Sequence, residues 1–275
     1  MCLSMKTEHP RILVVGAGSP NADMVAEVLR ANGLNADWTN RVRNPNPFLI
    51  HRFDILYGIY LQSCARFILV GRILGKKTII HFVGSDAYWY SREHSFARRL
   101  FWRLVLRLNN LVFYVSPHLE TLVGQPGTIL PFPIQKDEFN KTPKVQPDRD
   151  VLYYCPGGDQ NLQIYRYDWI LQYARDHPQE TITILGSLDH PANYHVNLPN
   201  VEVIPQVPRS DMPTLYHRHR RLIRITTEDG LPRMIHEALL CGLKVEFNGE
   251  EVTEIPKERD PVEFAKSFRT ALGLL

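Results

Sequence analysis

Residues 226–242 read TTEDGLPRMIHEALLCG and carry the clearest structural signal in the chain. They follow a short apolar strand, Leu222 to Ile225, and an acidic turn leads from that strand into a helix. Proline is common at the first position of a helix and glycine just past the last one, so Pro232 and Gly242 predict its two ends. The segment therefore predicts a strand, a turn and a helix in succession, as in α/β folds.

The start of this helix is predicted to bind an anion. The first N–H groups of a helix have no partner within it, and the helix dipole adds positive potential there. Asp229 stands just before this end, and Glu237 stands two turns further along. A diphosphate at the helix end, with a carboxylate on each side to hold sugar hydroxyls, fits this pattern. In the simpler alternative, Asp229 is only a turn residue and Glu237 pairs with Arg233.

The residue order resembles the acid-x7-acid signature of GT-B glycosyltransferases of the retaining group 1 (family 4-like) type. The resemblance rests on the run Asp229-Gly230-Leu231-Pro232, on Glu237-Ala238 and on Cys241-Gly242. It implies that Asp229 contacts the donor sugar, that Glu237 contacts the nucleotide ribose, and that Gly230, Leu231, Pro232 and Arg233 line the donor site. The family usually has Glu at the first acidic position, so Asp229 keeps the charge on a shorter side chain.

The first residues of the chain predict a βαβ unit. Arg11 to Val15 is a predicted strand, and a helix follows from Ala22 to Ala31 before a second strand at Ala36 to Thr39. Gly16 and Gly18 lie in the turn between strand and helix, and we expect them on the acceptor side of the fold.

The same Gly16-x-Gly18 turn supports a rival hypothesis, an NAD(P)-dependent oxidoreductase. Asp37 stands near the place of a ribose-binding acid in dinucleotide-binding folds. The third glycine position holds Asn21, however, so the motif is incomplete and weak.

A second candidate turn is Gly84-Ser85-Asp86, at the end of the strand predicted for Lys77 to Val83. Ligands of parallel α/β sheets bind at such strand ends. Members of the resembled family often have His-Gly-x-Asp here, with the His near the reacting carbon, and the resemblance gives His81 and Asp86 catalytic roles. His81 stands two residues before the family position, and the alternative is a satisfied histidine on a buried strand.

Gly157 and Gly158 follow another predicted strand and could form a second wall of the diphosphate pocket, since glycine lets backbone amides approach an anion. The family commonly places Arg and Lys in this region, but the Lys position falls on Tyr165. Neutralisation of the phosphates is then left to Arg166, Arg224 or Arg233, or to no residue.

Composition and charge predict two domains. The chain has 275 residues, 44% of them hydrophobic and 22% charged, which is normal for globular proteins. Residues 1–150 carry 19 Lys and Arg against 12 Asp and Glu, and residues 151–275 carry 13 against 17. We predict a first domain at 1–130, a linker at 131–150 and a second domain at 151–275. The four cysteines have no paired or metal-binding spacing, and this with the lack of a secretory or transmembrane segment favours the cytoplasm.

Residues 91–108 predict an amphipathic helix. Its apolar face is assigned to Phe96, Leu100, Phe101, Leu104, Val105 and Leu108. Arg99, Arg103 and Arg107 form a basic ridge, with Trp102 and Leu106 beside it. Either the helix covers the sheet with its arginines in water, or the ridge and an exposed Trp102 dock on an anionic membrane surface.

We therefore predict an α/β protein of two Rossmann-like domains facing across a cleft, a compact GT-B enzyme. The resemblance implies metal-independent transfer of a hexose-like sugar from a nucleotide-diphosphate donor with retention of configuration, no cofactor, and no nucleic acid partner. The acceptor, whether lipid, glycan or small molecule, stays open. The alternative is an inactive glycosyltransferase-like binding or partner subunit, which the missing Lys at Tyr165 favours.

Overall fold

A computed structural model describes residues 10–16, 21–41, 45–140, 145–156, 158–186, 197–230 and 232–274. The chain divides into two compact units, which are described separately below. Unit 1 comprises Met1–Pro133 and Lys257–Leu275, and unit 2 comprises Ile134–Pro256. Within the described residues, every helix is too short or too polar to cross a lipid bilayer.

Unit 1 contains a six-stranded parallel sheet in the order β2-β1-β3-β4-β5-β6. Its strands are β1 Arg11–Gly16, β2 Asn35–Thr39, β3 Ile55–Ile59, β4 Lys77–Phe82, β5 Leu111–Tyr114 and β6 Thr128–Ile129. The helices that follow them are α1 Asn21–Ala31, α2 Pro47–His51, α3 Leu61–Ile73, α4 Ser85–Arg92, α5 Phe96–Leu108 and α6 Pro117–Val123.

The central strands of this sheet are buried on both faces, as the continuous apolar runs in β1 and β3 require. The chain turns from β1 to β2 on one side and later to β3 on the other, so the order of strands reverses between β1 and β3. The carboxyl ends of these two strands therefore form the ligand-binding edge expected of an open α/β sheet.

Unit 2 contains a second six-stranded sheet in the order β12-β11-β10-β7-β8-β9, parallel except for the β11–β12 pair. Its strands are β7 Arg149–Tyr154, β8 Ile182–Leu185, β9 Val201–Ile204, β10 His219–Arg224, β11 Lys244–Phe247 and β12 Glu250–Val252. Its helices are α7 Lys136–Asn140, α8 Asp159–Ile164, α9 Tyr167–Asp176, α10 Met212–His217 and α11 Arg233–Leu240.

Both faces of the second sheet are covered. Successive residues of a strand point to opposite faces, so Leu152 of β7 packs in a cluster with Ile235 of α11. Val151 and its neighbour Tyr153 pack in another cluster with Ile170 of α9. Helices on both faces of a mostly parallel sheet, in each of two units, confirm the predicted class of two Rossmann-like α/β domains.

The last helix, α12 Pro261–Leu272, corrects the predicted range of the second domain. Phe264, Phe268 and Leu272 lie in the core of unit 1, and the Phe268 ring centroid is 5.4 Å from that of Tyr57. Burial of these apolar side chains assigns residues 257–275 to unit 1, whereas the prediction ended unit 1 at residue 130.

The segment predicted as a linker, residues 131–150, is also largely part of the two cores. Phe132 is buried in unit 1, and Ile134 and Phe139 are buried in unit 2. Phe139 belongs to α7 and packs near the ring of Tyr216 at 6.3 Å. The two units therefore meet in sequence at Pro133, and the residues beside this boundary are packed in one core or the other. The many Pro, Lys and Asp residues of the segment had suggested a linker instead.

Candidate functional site

Two of the predicted donor residues of unit 2 follow the strands at which its strand order reverses. From β7 the sheet continues to β8 and β9 on one side, and to β10 and β11 on the other. This switch point lies between the carboxyl ends of β7 and β10, where open α/β sheets bind ligands. Gly158 follows the first of these strands, and Asp229 follows the second.

The turn between β10 and α11 is held by neighbouring elements of the same unit. The Thr226 N–H donates to the Asn248 side chain at 2.8 Å, and the Thr227 N–H donates to the Ile164 carbonyl at 3.0 Å. Helix α11 begins directly after Pro232, and Gly242 follows its end with φ of 86°. Both predicted helix ends are confirmed. Pro232, Arg233 and Met234, at the start of the helix, are partly exposed.

Arg224 and Asp229 form a largely buried ion pair in this turn. Both Nε and Nη2 of Arg224 donate to Oδ2 of Asp229, with Nε at 3.1 Å, and the Gly230 N–H donates to Oδ1 at 3.0 Å. The Arg224 side chain is 4% exposed and that of Asp229 is 18% exposed. Asp229 is thus more than a turn residue, because it compensates a buried positive charge.

Two tyrosines enclose the Arg224 guanidinium. Its central carbon lies 4.6 Å from the ring centroid of Tyr154 and 4.9 Å from that of Tyr165, both within cation–π range. Burial alone would lower the pKa of Arg224, but Asp229 and the tyrosines raise it above its ordinary value, so the group stays charged. The family Lys position, Tyr165, therefore lies against a cation that comes from β10.

Glu237 is buried and has two partners. Its Oε1 lies 3.3 Å from Nη1 of Arg209, and its Oε2 accepts a hydrogen bond from the Tyr216 hydroxyl at 3.1 Å. Arg209 lies in the segment between β9 and α10. Sequence reasoning missed Arg209 and Tyr216, because neither is near Glu237 in the chain.

The remaining predicted donor residues have different surroundings. Arg166 is half exposed and pairs with Asp168 at 3.3 Å, and Arg233 is partly exposed at the start of α11. Gly158 has φ of 100° and precedes the short helix α8, whose first residue is an acid. Gly157 and Leu231 lie outside the described residues.

His81 is placed in the core of unit 1 and not at a surface. It has no exposed area, and its Nδ1 lies 2.5 Å from the Tyr57 hydroxyl. The ring of Phe132 is 4.6 Å away, centroid to centroid. Burial lowers the pKa of His81 to about 3, so the imidazole is neutral. This placement corresponds to the alternative interpretation of a buried core histidine, although Nε2 has no hydrogen-bond partner among the described residues, and it leaves His81 no surface that a ligand could touch.

Asp86 is also buried, and it binds backbone groups of two turns. Its Oδ1 accepts from the N–H groups of Val83 at 2.9 Å and Gly84 at 3.0 Å, and its Oδ2 accepts from Leu61 at 3.3 Å. Burial raises the pKa of Asp86, although these bonds to the carboxylate act in the opposite direction. Asp86 therefore holds the start of α3 against the turn after β4, and its carboxylate oxygens are used for these backbone bonds.

Gly16 lies at the strand-order reversal of unit 1, where an acceptor-side residue was predicted. A Cβ at this position would stand 2.9 Å from the Cβ of Ala22, so glycine permits the close packing of α1 on β1. Tyr60, at the end of the neighbouring strand, has φ of 64°, an uncommon value for a residue with a side chain. Gly18 lies outside the described residues. In the described part of the chain, no three His, Cys, Asp or Glu side chains are grouped to hold a metal ion.

Solved structures with the same fold include glycosyltransferases and a UDP-N-acetylglucosamine 2-epimerase. Sucrose-phosphate synthase from Thermosynechococcus elongatus matches with a TM-score of 0.67 and 13% identity over 96% of this chain and 90% of that chain. Anabaena HepE in complex with UDP-glucose matches with a TM-score of 0.63 and 16% identity over the same shares. AviGT4, a glycosyltransferase involved in avilamycin A biosynthesis, matches with a TM-score of 0.62 and 12% identity over 96% and 98%.

Neither a protein-family model nor a curated protein sequence matches this chain. The structural matches are low in identity and therefore establish the fold, not the activity. That fold is the GT-B fold of these glycosyltransferases, and this part of the prediction is confirmed.

Proposed function

We propose that this GT-B chain transfers a sugar from a nucleotide-diphosphate donor bound by unit 2. The observation that carries the proposal is that the Arg224–Asp229 pair and helix α11, which carries Glu237, follow β10 at the strand-order reversal of the second sheet. The complex of Anabaena HepE with UDP-glucose supports a donor of this class.

Asp229 keeps hydrogen-bonding capacity for a donor sugar. A carboxylate has about four acceptor positions. Two bonds from Arg224 and one from Gly230 occupy three of them. The remaining one, on a side chain that is partly exposed, is available for a sugar hydroxyl.

Glu237 has more capacity, since Arg209 and Tyr216 occupy one position on each of its oxygens. Two acceptor positions are then left for the two hydroxyls of a ribose. Arg209 also links the carboxylate to the segment after β9. Nucleotide binding and the position of that segment would therefore depend on the same side chain.

Charge on the leaving diphosphate would be stabilised by the α11 N-terminus together with Arg233, since Asp229 already compensates the buried Arg224. Such preorganised positive potential lowers the barrier without a metal ion. Retention of configuration is part of this proposal and follows from the resemblance to group 1 enzymes. Proton NMR of the first product formed from an α-linked donor would reveal an α linkage under retention and a β linkage under inversion.

The alternative is an inactive binding subunit. Tyr165 favoured it because no basic residue stands at the family Lys position. The contact between Tyr165 and Arg224 does not replace that Lys, since the guanidinium 4.9 Å from the ring is buried and already paired with Asp229.

The decisive experiment measures binding and turnover of UDP-, GDP- and ADP-sugars by the full chain, with calorimetry and with release of the nucleoside diphosphate. Glu237→Gln should weaken donor binding at least tenfold, because two buried contacts to ribose lose their charge. The matched control is Glu202→Gln, an acid of the same unit whose surface ion pair with Arg149 lies in β9 and β7.

Donor binding without turnover would support the inactive subunit. Wild-type affinity in Glu237→Gln would refute the proposed site. A fluorescence titration with NADH tests the oxidoreductase hypothesis, and saturable binding there with none of any nucleotide sugar would replace the proposal.

A further inference from the structure

The water-facing side of α5 is apolar. Phe96 is 80% exposed, Leu100 57%, Leu104 47% and Leu108 39%. Residues four apart lie on the same side of a helix, so these four side chains form one continuous row, called here the leucine row. A contiguous apolar patch on a protein surface usually marks an interaction site.

The opposite side of α5 already packs on unit 1. Trp102, Val105 and Leu106 are buried, the Trp102 ring lies 6.2 Å from that of Tyr90, and α5 contacts α3. The predicted apolar face is therefore correct for Val105 and for the partly buried Phe101, but wrong for the leucine row. Trp102 and Leu106, predicted beside the arginines, are buried instead. The helix therefore has two apolar sides, and unit 1 covers only one of them.

A basic row runs beside the leucine row. Arg99, Arg103 and Arg107 are also four apart, and α5 contains no acidic residue. Arg99 is partly buried and donates to the Glu93 carbonyl. Arg103 and Arg107 are exposed and have no hydrogen bond or ion pair with the other described residues. Leucines flanked by arginines on an exposed helix are typical of helices that lie in a membrane interface.

We propose that α5 docks this chain on an anionic lipid bilayer. The leucine row would enter the boundary between headgroups and acyl chains, and Arg103 and Arg107 would contact lipid phosphates. The inference is independent of the proposed function.

A second copy of the chain is a poorer occupant. Pairing two leucine rows face to face would bring the arginines of one copy beside those of the other, and α5 has no acid to compensate them. Like charges held together oppose association. An anionic surface both covers the apolar row and neutralises the arginines, so it satisfies both features at once.

The test is flotation of the full chain with vesicles made of equal parts phosphatidylcholine and phosphatidylserine, and with vesicles of phosphatidylcholine alone. Wild-type protein should float with the anionic vesicles, and added salt should weaken the binding. Leu100→Ser with Leu104→Ser should reduce the partition coefficient at least tenfold. Arg103→Gln with Arg107→Gln should reduce it by roughly fivefold for each arginine.

The control is Val262→Ser with Arg30→Gln, which changes an exposed apolar residue and an exposed arginine of unit 1 outside α5. All variants alter exposed side chains, and thermal unfolding should verify that they remain folded. Failure of the wild type to bind anionic vesicles, or equal binding by the leucine variant and the control, would overturn the proposal. It would also be overturned by a dimer in sedimentation that the leucine variant dissociates while vesicle binding is unchanged.

Discussion

The ion pair between Arg224 and Asp229 should contribute strongly to the stability of unit 2. We test this with Arg224→Met, Asp229→Asn and the double variant. Methionine keeps much of the length of arginine between the two tyrosines, and asparagine keeps the shape of aspartate. The interaction is then measured as the failure of the two single effects to add.

The magnitude follows from burial. Removing one partner of a fully buried ion pair costs about 3–5 kcal/mol of unfolding free energy. Asp229 keeps 18% of its side chain exposed, so water relieves part of this cost and we expect about 2–4 kcal/mol for each single variant. The double variant leaves no uncompensated charge. Its loss should therefore fall short of the sum of the single losses by about 2 kcal/mol.

The assay is urea unfolding followed by the fluorescence of Trp169. This tryptophan belongs to unit 2 and packs between Tyr153 and Tyr173, at ring distances of 6.1 and 5.3 Å. The three other tryptophans, Trp38, Trp89 and Trp102, are replaced by Phe in every variant so that the signal reports unit 2 alone. Equal slopes against urea would verify that the unfolded states are comparable.

Arg218 and Asp148 provide the matched control within the same unit. They form a 2.7 Å ion pair, but their side chains are 46% and 56% exposed. The same set of substitutions there should give a coupling below about 1 kcal/mol, as is typical of surface pairs. A coupling at Arg224 and Asp229 no larger than this control would refute the reasoning, and Asp229 would then be free to act on the donor alone.

Three further outcomes are expected. His81 has a folded-state pKa of about 3, below its unfolded value of about 6.5. Its contribution to the unfolding free energy should therefore be complete above pH 6.5 and decrease as the pH falls from 6.5 towards 3. The His81→Phe variant should lack this decrease when its unfolding free energy is measured against pH. Asp86→Asn should lower the unfolding free energy by about 1–3 kcal/mol in chemical unfolding, because the asparagine amide nitrogen would face the Leu61 N–H and could not accept its hydrogen bond. An unchanged unfolding free energy would contradict the role of Asp86 in holding the two turns. Tyr216→Phe removes the hydroxyl that donates a hydrogen bond to Glu237. It should raise the dissociation constant of the nucleotide sugar with little change in the turnover of bound nucleotide sugar. An unchanged dissociation constant would count against the contact between Glu237 and the ribose.

The helix after β10 could be predicted from sequence because its signals are local. Pro232 and Gly242 act within one turn of the backbone they limit, so neighbouring residues suffice. The pairing of Arg224 was missed, although a signal existed. An arginine between Ile223 and Ile225 in a buried strand requires a nearby negative charge to compensate it. Asp229, in the loop directly after that strand, is such a charge.

The orientation of α5 could not be decided from its pattern. Both sides of the helix carry large apolar residues, so periodicity alone does not select the side that meets the sheet. His81 posed a similar ambiguity, since a histidine at a strand end is compatible with a site or a core. Only the packing of Tyr57 and Phe132 around it distinguishes the two.

The return of α12 to unit 1 makes unit 2 a continuous insertion, residues 134–256, with one junction at each end. Exchanging unit 2 for the corresponding unit of another protein with this fold would therefore need two fusion points, near Pro133 and Lys257. A single crossover in the middle of the gene would instead replace helix α12, and the core of unit 1 would lose Phe264 and Phe268. Chimeras built by joining halves should aggregate, whereas cassette exchange should leave the recipient scaffold folded.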